Sequence, residues 1–230
     1  MKKWLLTIAC LLFITNFVNA LSIDKNASKV EFNATKFGFV SVNGEFKDFS
    51  GEIVTNNNDI TKLNCDAIVN PGNEKGLGCF EPSHDCLDNK INVDAGMRLR
   101  LACNEIMSKK NYHLEKAECI ITKAFNLPSK YIIKTNGPII DKKLEEKDKD
   151  VLKNCYINAL NLAKQSNIKT IAFPCIATGQ FNFPNREAAE IAYNAINEYV
   201  KNNPNVFDQI IICTYKDVDY NYYKLLINSK

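Results

Sequence analysis

From residue 59 onward the chain alternates short apolar runs with stretches of helical periodicity, and this alternation restricts the fold more than any other feature. Residues 65–70 (Cys-Asp-Ala-Ile-Val-Asn), 131–135, 170–175 and 209–215 are runs of the length and β-branched content of buried strands. Helical patterning occupies 94–108, 148–165 and 185–201, the last opening on Pro184-Asn185 as a start signal. Strands that are continuously apolar must be covered on both faces, and helical crossovers between them make neighbours parallel. The expectation is an α/β fold of three layers, α/β/α, with a mostly parallel mixed sheet. At 230 residues with 46% apolar composition, the chain is long enough for one full core and a modest appendage.

The first 54 residues read differently. Met1-Lys2-Lys3, the apolar stretch 4–18 and Val18-Asn19-Ala20 form the basic start, apolar centre and small-residue site of a signal peptide over 1–20. An uncleaved anchor or a cytosolic apolar start is the alternative. Cleavage after Ala20 would leave 27 basic against 26 acidic residues, so the charge balance implies neither nucleic-acid binding nor attraction to anionic membranes. The expected localisation is exported, periplasmic or secreted, if the signal is used, and cytoplasmic otherwise. No stable membrane insertion is expected after cleavage, and the chain is expected to be a monomer.

Residues 21–54 alternate apolar and polar side chains in two runs broken near Gly38 and Gly44, a β-rich segment. The pattern around Ile23-Asp24, Val30, Phe32, Gly38, Val40, Gly44-Glu45-Phe46, Phe49 and Gly51-Glu52-Ile53 resembles the opening strands of YceI-like periplasmic barrels. Only about the first fifth of such a domain is present. A barrel missing most of its strands cannot close, so lipid binding does not carry over. Residues 51–55 are expected to supply an edge strand to the main sheet, and the main domain is placed at 55–230.

Nine cysteines are present. Cys10 lies in the leader, while Cys65, Cys103, Cys119, Cys155, Cys175 and Cys213 sit in or beside apolar runs, as free core cysteines do. The remaining pair belongs to Cys79-Phe-Glu-Pro-Ser-His84-Asp-Cys86-Leu-Asp88-Asn89. Two thiols and an imidazole suit Zn²⁺, and three protein ligands leave a fourth position for water or substrate. Cys-x4-His-x-Cys is no common zinc-finger spacing, so chance clustering is the competing reading. In an oxidising compartment Cys79 and Cys86 would be exposed to pairing unless zinc holds them as thiolates.

Three segments flank this loop in order: Asn58-Asp59-Ile60-Thr61 with Asp66-Ala-Ile-Val-Asn70-Pro71-Gly72-Asn73, Phe125 to Pro138, and Cys175-Ile176-Ala177-Thr178-Gly179-Gln180-Phe181-Asn-Phe183-Pro184. Together with the Cys-His-Cys insert they resemble the macrodomain family, specifically its zinc-containing branch, over about residues 52–228. The resemblance implies ADP-ribose or an ADP-ribosylated protein as partner, and hydrolysis of the bond at ribose C1 that links mono-ADP-ribose to a protein side chain. A noncatalytic ADP-ribose reader with a structural zinc is the alternative. Residue by residue, it implies that Asp59 accepts the adenine amino group with Ile60 as a backbone neighbour. Asn73 would lie near the distal ribose. Ile176, Ala177, Thr178, Gly179, Gln180 and Phe181 would surround the diphosphate, with the Phe181 ring against a ribose. Cys79, His84 and Cys86 would ligate zinc, and Asp88 with Asn89 would be catalytic.

Read without the resemblance, several of these positions stay open. A Gly-containing strand-to-helix turn exposes backbone N–H groups suited to phosphate, though most such turns bind nothing. Phe181 and Phe183 could pack the loop onto the core, Asp88 could cap a helix beginning near Ile91, and Tyr215 could stack on adenine or be a buried strand residue. Asp66 and Asn70 read as local hydrogen-bonding residues. Against the family pattern that the chain resembles, Asn92 stands where His is usual and cannot act as an acid or base, while Pro71-Gly72 replaces two alanines in the ribose loop. His113 is expected on the surface.

Overall fold

The structure is a computed structural model that describes residues 30–36, 40–46, 52–81 and 84–228. The expected signal peptide therefore lies outside the described residues, as does the break near Gly38. Two strands, β1 (Val30–Lys36) and β2 (Val40–Phe46), pair antiparallel with Val30 opposite Phe46. The main sheet has six strands: β3 (Glu52–Asn57), β4 (Ala67–Gly72), β5 (Cys119–Lys123), β6 (Tyr131–Asn136), β7 (Thr170–Phe173) and β8 (Gln209–Thr214). Their order is β3-β8-β7-β4-β6-β5, parallel throughout except for β5, which runs antiparallel to β6 at one edge. The mostly parallel mixed sheet expected from the sequence is present, and β3 supplies the edge strand expected from residues 51–55.

Helices cover both faces. One face carries α1 (Leu87–Ala95) and α2 (Met97–Ser108), the other α3 (Glu146–Gln165), α4 (Asn185–Asn202) and α5 (Asp217–Asn228). The strands show why both are needed: Val69, Ile133, Ile171, Phe173 and Ile210 pack with α3 and α4, whereas Ile68, Ile132, Ala172 and Ile211 pack with Ile91, Leu99 and Cys103. Successive side chains point to opposite faces, and both faces are buried. A capping box, Glu145 with Asp148, starts α3 inside the charged stretch before it.

Several boundaries differ from expectation. The single helix expected over 94–108 is two helices meeting at Gly96, whose φ of 82° and ψ of 179° no side-chain-bearing residue adopts without strain. The first begins at Leu87, so it swallows the stretch read as loop. The strand expected over 65–70 is displaced to Ala67–Gly72, and β7 stops at Phe173 because Pro174 has no N–H for the ladder. β5 and α5 were not anticipated.

Asp66 ties the amino ends of three strands. Its Oδ2 accepts from the N–H groups of Lys169 and Thr170 at 2.9 and 3.0 Å, its Oδ1 from Lys130 Nζ at 2.7 Å, and its carbonyl from Lys130 and Tyr131. The role read from the sequence, a local one, is instead a long-range junction of β4, β6 and β7. Among the described residues no helix is long and apolar enough to cross a membrane.

Candidate functional site

The carboxyl ends of β3, β8, β7 and β4 open into a cleft of about 650 Å³. This is where an open parallel sheet exposes strand-to-helix turns and binds ligands. Of the residues singled out in the sequence, Asp59, Ile60, Asn73, Cys79, His84, Cys86, Asp88, Ala177, Thr178, Gly179, Gln180, Phe181 and Tyr215 line it. Ile176 and Asn89 do not. Ile176 is fully buried beneath the loop. The Asn89 side chain donates to the Glu81 carbonyl at 3.0 Å and braces the 79–86 loop.

At one end, Asp59 caps a short 3-10 turn (Ile60–Lys62) through Oδ1, which lies 3.0 Å from Thr61 N and 2.7 Å from Thr61 Oγ1. Its Oδ2 lies 3.3 Å from Lys90 Nζ. Burial opposes ionisation of Asp59, but hydrogen bonds from Thr61 and the Lys90 ammonium outweigh it and hold the carboxyl below its ordinary range. Tyr215 follows β8 and is 84% exposed at the cleft rim, which removes the buried-strand reading.

The 175–183 loop is shaped by its own bonds: Thr178 Oγ1 donates to Cys175 O, Asn182 N to Gly179 O and Phe183 N to Ala177 O. Ala177 sits at φ 65°. The N–H groups of residues 179–181 donate to no protein acceptor among the described residues, and the loop brings no basic side chain to the cleft that it lines. Phe183 is buried in the core while Phe181 faces the cleft, which divides the two aromatics between packing and site.

At the other end the Cys79, His84 and Cys86 ligand atoms all lie within 4.8 Å of one another, with Cys79 Sγ 3.0 Å from His84 Nδ1. Cys86 also caps α1, accepting from Asn89 N at 3.3 Å. The competing reading of Asp88 as that cap is therefore replaced: Asp88 lies within the first turn. Burial pushes the Cys79 thiol up, yet hydrogen bonds from Glu81, His84 and Cys86 bring it below its ordinary value. Burial, with the Cys79 sulfur and Asp88 nearby, drives Cys86 up to about 11. The Cys79 contact raises His84. Two sulfurs this close oppose each other's ionisation, and a divalent cation between them would relieve that opposition. Two sulfurs and one nitrogen in one partly buried cluster fit Zn²⁺.

Asp88 forms the cleft floor beside this cluster and is 4% exposed. Three donors meet its Oδ1: Asn70 Nδ2 and Asn92 Nδ2, each at 2.8 Å, and Lys134 Nζ at 3.2 Å. Its Oδ2 is buried without a partner. Lys134 was not legible, because a lone lysine in an apolar run usually marks an exposed strand position. Asp219, 3% exposed and accepting from Asn185 Nδ2 at 2.6 Å, also lines the cleft and was missed along with its helix. His113 is exposed and 3.3 Å from Glu115, as expected.

Residues 69–192 match the Macro domain model. Over 171 residues the chain is 41% identical to a Staphylococcus aureus protein named protein-ADP-ribose hydrolase, covering 74% of this chain and 64% of that one. A Treponema medium protein of the same name is 46% identical over 146 residues, 63% of this chain and 56% of that one. Human ADP-ribose glycohydrolase MACROD2 is 39% identical over 74% of this chain and 38% of its own length. The chain thus spans less than two thirds of these relatives. Among solved structures, an Oceanobacillus iheyensis macrodomain with ADP superposes at a TM-score of 0.67 with 31% identity, covering 86% and 95% of the two chains. A Trypanosoma brucei macrodomain in complex with ADP-ribose superposes at 0.66 with 26% identity, covering 77% and 69%.

Proposed function

Because this chain belongs to the Macro domain family, we propose that it is a zinc-dependent hydrolase that removes mono-ADP-ribose from modified protein side chains. The observation that carries the reading is Asp88 in the lining of the cleft, its Oδ2 without a protein donor, beside three convergent side chains that could hold a metal ion. A carboxylate oxygen left without a donor is one that can accept a proton during a reaction.

ADP-ribose would lie along the cleft with adenine at Asp59 and Tyr215, the diphosphate on the 179–181 amides and the distal ribose between Phe181, Asn73 and Asp88. Asp59 Oδ2 accepts the adenine amino hydrogen. The loop amides offset diphosphate charge without reorganisation, because their directions are fixed by the loop's own hydrogen bonds. Asp88 takes the proton of the attacking water or ribose hydroxyl through Oδ2. Cys79, His84 and Cys86 would hold zinc, which when bound supplies a Lewis acid for the oxygen at ribose C1.

The test is release of ADP-ribose from a mono-ADP-ribosylated acceptor protein, together with ADP-ribose affinity and metal content. Asp88→Asn keeps an acceptor for the three donors on Oδ1 and removes the base. It is expected to retain near-normal affinity while turnover falls by roughly 10²-fold or more. The reader alternative is favoured by one observation: Asn92, at the family's His position, is buried and donates both to Asp88 Oδ1 and to the Asp88 carbonyl, leaving it no acid or base role. A wild-type chain that binds ADP-ribose and releases none would make that reading correct, and activity gained in Asn92→His would identify the disabling substitution.

A further inference from the structure

Strand β6 reads Tyr-Ile-Ile-Lys-Thr-Asn, and its lysine is 2% exposed, the one buried lysine among the described residues. Lys134 pairs in register with Asn70 of β4. Its stem runs beneath Gly72, where an added Cβ would stand 3.0 Å from both Cγ and Cδ of the lysine. The glycine's missing side chain is therefore the passage that the stem uses. Burying an ammonium this deeply is costly unless it meets a counter-charge, and the carboxylate it meets is Asp88 at 3.2 Å.

The distribution of donors over that carboxylate is uneven. Oδ1 receives Asn70, Asn92 and Lys134, while Oδ2 receives none, although it is buried. The terminal torsion of an aspartate is broad and roughly two-fold, so without restraint either oxygen could face the cleft. Two neutral amides hold Oδ1 but leave the negative charge of a buried carboxylate uncompensated. The ammonium both completes the clamp and supplies the charge.

We infer that Lys134 is a positioning residue: as the third donor on Oδ1 it sets the orientation of the Asp88 side chain and leaves Oδ2 as the oxygen that no protein donor occupies. The inference rests on the reading of Asp88 as the proton acceptor. Lys134 does not itself line the cleft and touches no ligand there.

The experiment uses the full chain with Lys134→Met, which keeps an unbranched apolar stem beneath Gly72 and deletes the charge. ADP-ribose affinity, melting temperature and single-turnover release from a mono-ADP-ribosylated acceptor are measured together. Release is expected to fall roughly 10- to 100-fold while affinity stays within about threefold. In the Asp88→Asn background the same change is expected to alter release less than about threefold, because residues that act as a unit are non-additive. That background also removes both charges at once, so it remains usable if the single variant does not fold. Unchanged release in Lys134→Met, a proportional fall in affinity and melting temperature, or a full further loss in the Asp88→Asn background would overturn the inference. A wild-type chain that releases no ADP-ribose would overturn the hydrolase reading, and the role of Lys134 with it.

Discussion

Asp59→Asn separates the turn that the carboxylate holds from the adenine contact proposed for it. Oδ1 holds the 3-10 turn, accepting from Thr61 N at 3.0 Å, and an asparagine retains that oxygen. Asp59 lines the cleft, and an asparagine places an NH2 group where Oδ2 stood. The adenine amino group would then face a donor where it had met a charged acceptor. A charge-assisted hydrogen bond contributes about 1.5–3 kcal/mol, and the donor opposition adds to its loss. A total of about 2–3 kcal/mol corresponds to a Kd weakened roughly 30- to 150-fold. The fold should barely respond: Lys90 keeps Asp94 at 2.9 Å, and a half-exposed ion pair of this kind is worth under about 1 kcal/mol. Calorimetric titration with ADP-ribose, alongside a melting curve, decides it. An unchanged Kd would show that adenine is recognised elsewhere, and a Kd that weakens only in step with the melting temperature would show that Asp59 acts through the turn alone.

Three further outcomes are expected. Protein purified without chelators should carry about one zinc per chain by elemental analysis, and Cys79→Ala should lose it, since two ligands cannot hold what three hold. Asp66→Ala should cost about 2–3 kcal/mol of unfolding free energy near neutral pH, from two lost backbone hydrogen bonds and the Lys130 contact. Burial opposes ionisation of Asp66, but these partners outweigh it and depress its pKa, so the contribution is full above the unfolded value of about 3.9. It disappears as pH falls through the lower folded value, and denaturant titrations of variant and wild type should converge there. Gly78→Ala combines a φ of +103° with a Cβ that would stand 2.4 Å from Asn92 Oδ1, so it should lose about 2–4 kcal/mol and slow release by displacing a donor to Asp88.

The alternation of apolar strands and helical stretches was enough to indicate the sheet, because parallel strands buried on both faces leave an unbroken apolar signature at Ile132-Ile133 and Ile171-Ala172-Phe173. Helix α1 left none: its buried positions are Asp88, Ile91, Asn92 and Ala95, half of them polar, so no apolar stripe marks it. The inward polar side chains that hide the helix are the ones that build the cleft floor. Helix α5 did carry a signal, with Asp219, Tyr223 and Ile227 buried at four-residue spacing, but the acidic first member disguised it. Most cleft-lining residues were legible from ordered motifs, including those of the 177–181 loop. Lys134 was not, since nothing in a single sequence distinguishes a lysine that threads under a glycine from one that reaches solvent. Asn89 shows the opposite failure, a motif position whose side chain serves the loop beside it.

The Asp66 junction bears on the order in which the chain assembles. Its partners lie 64, 103 and 104 residues away along the sequence, so its bonds to Lys130 wait on one long segment and the full junction forms only when a second has closed. Closure of such long loops is what slows folding of parallel sheets, and the junction that needs all three strands in place is expected to be completed late. Loss of the Asp66 carboxylate would then leave the refolding rate nearly unchanged and accelerate unfolding by almost the whole of its effect on stability. The residue acts as a latch on a finished sheet, setting how long the folded cleft persists and not how fast it is built.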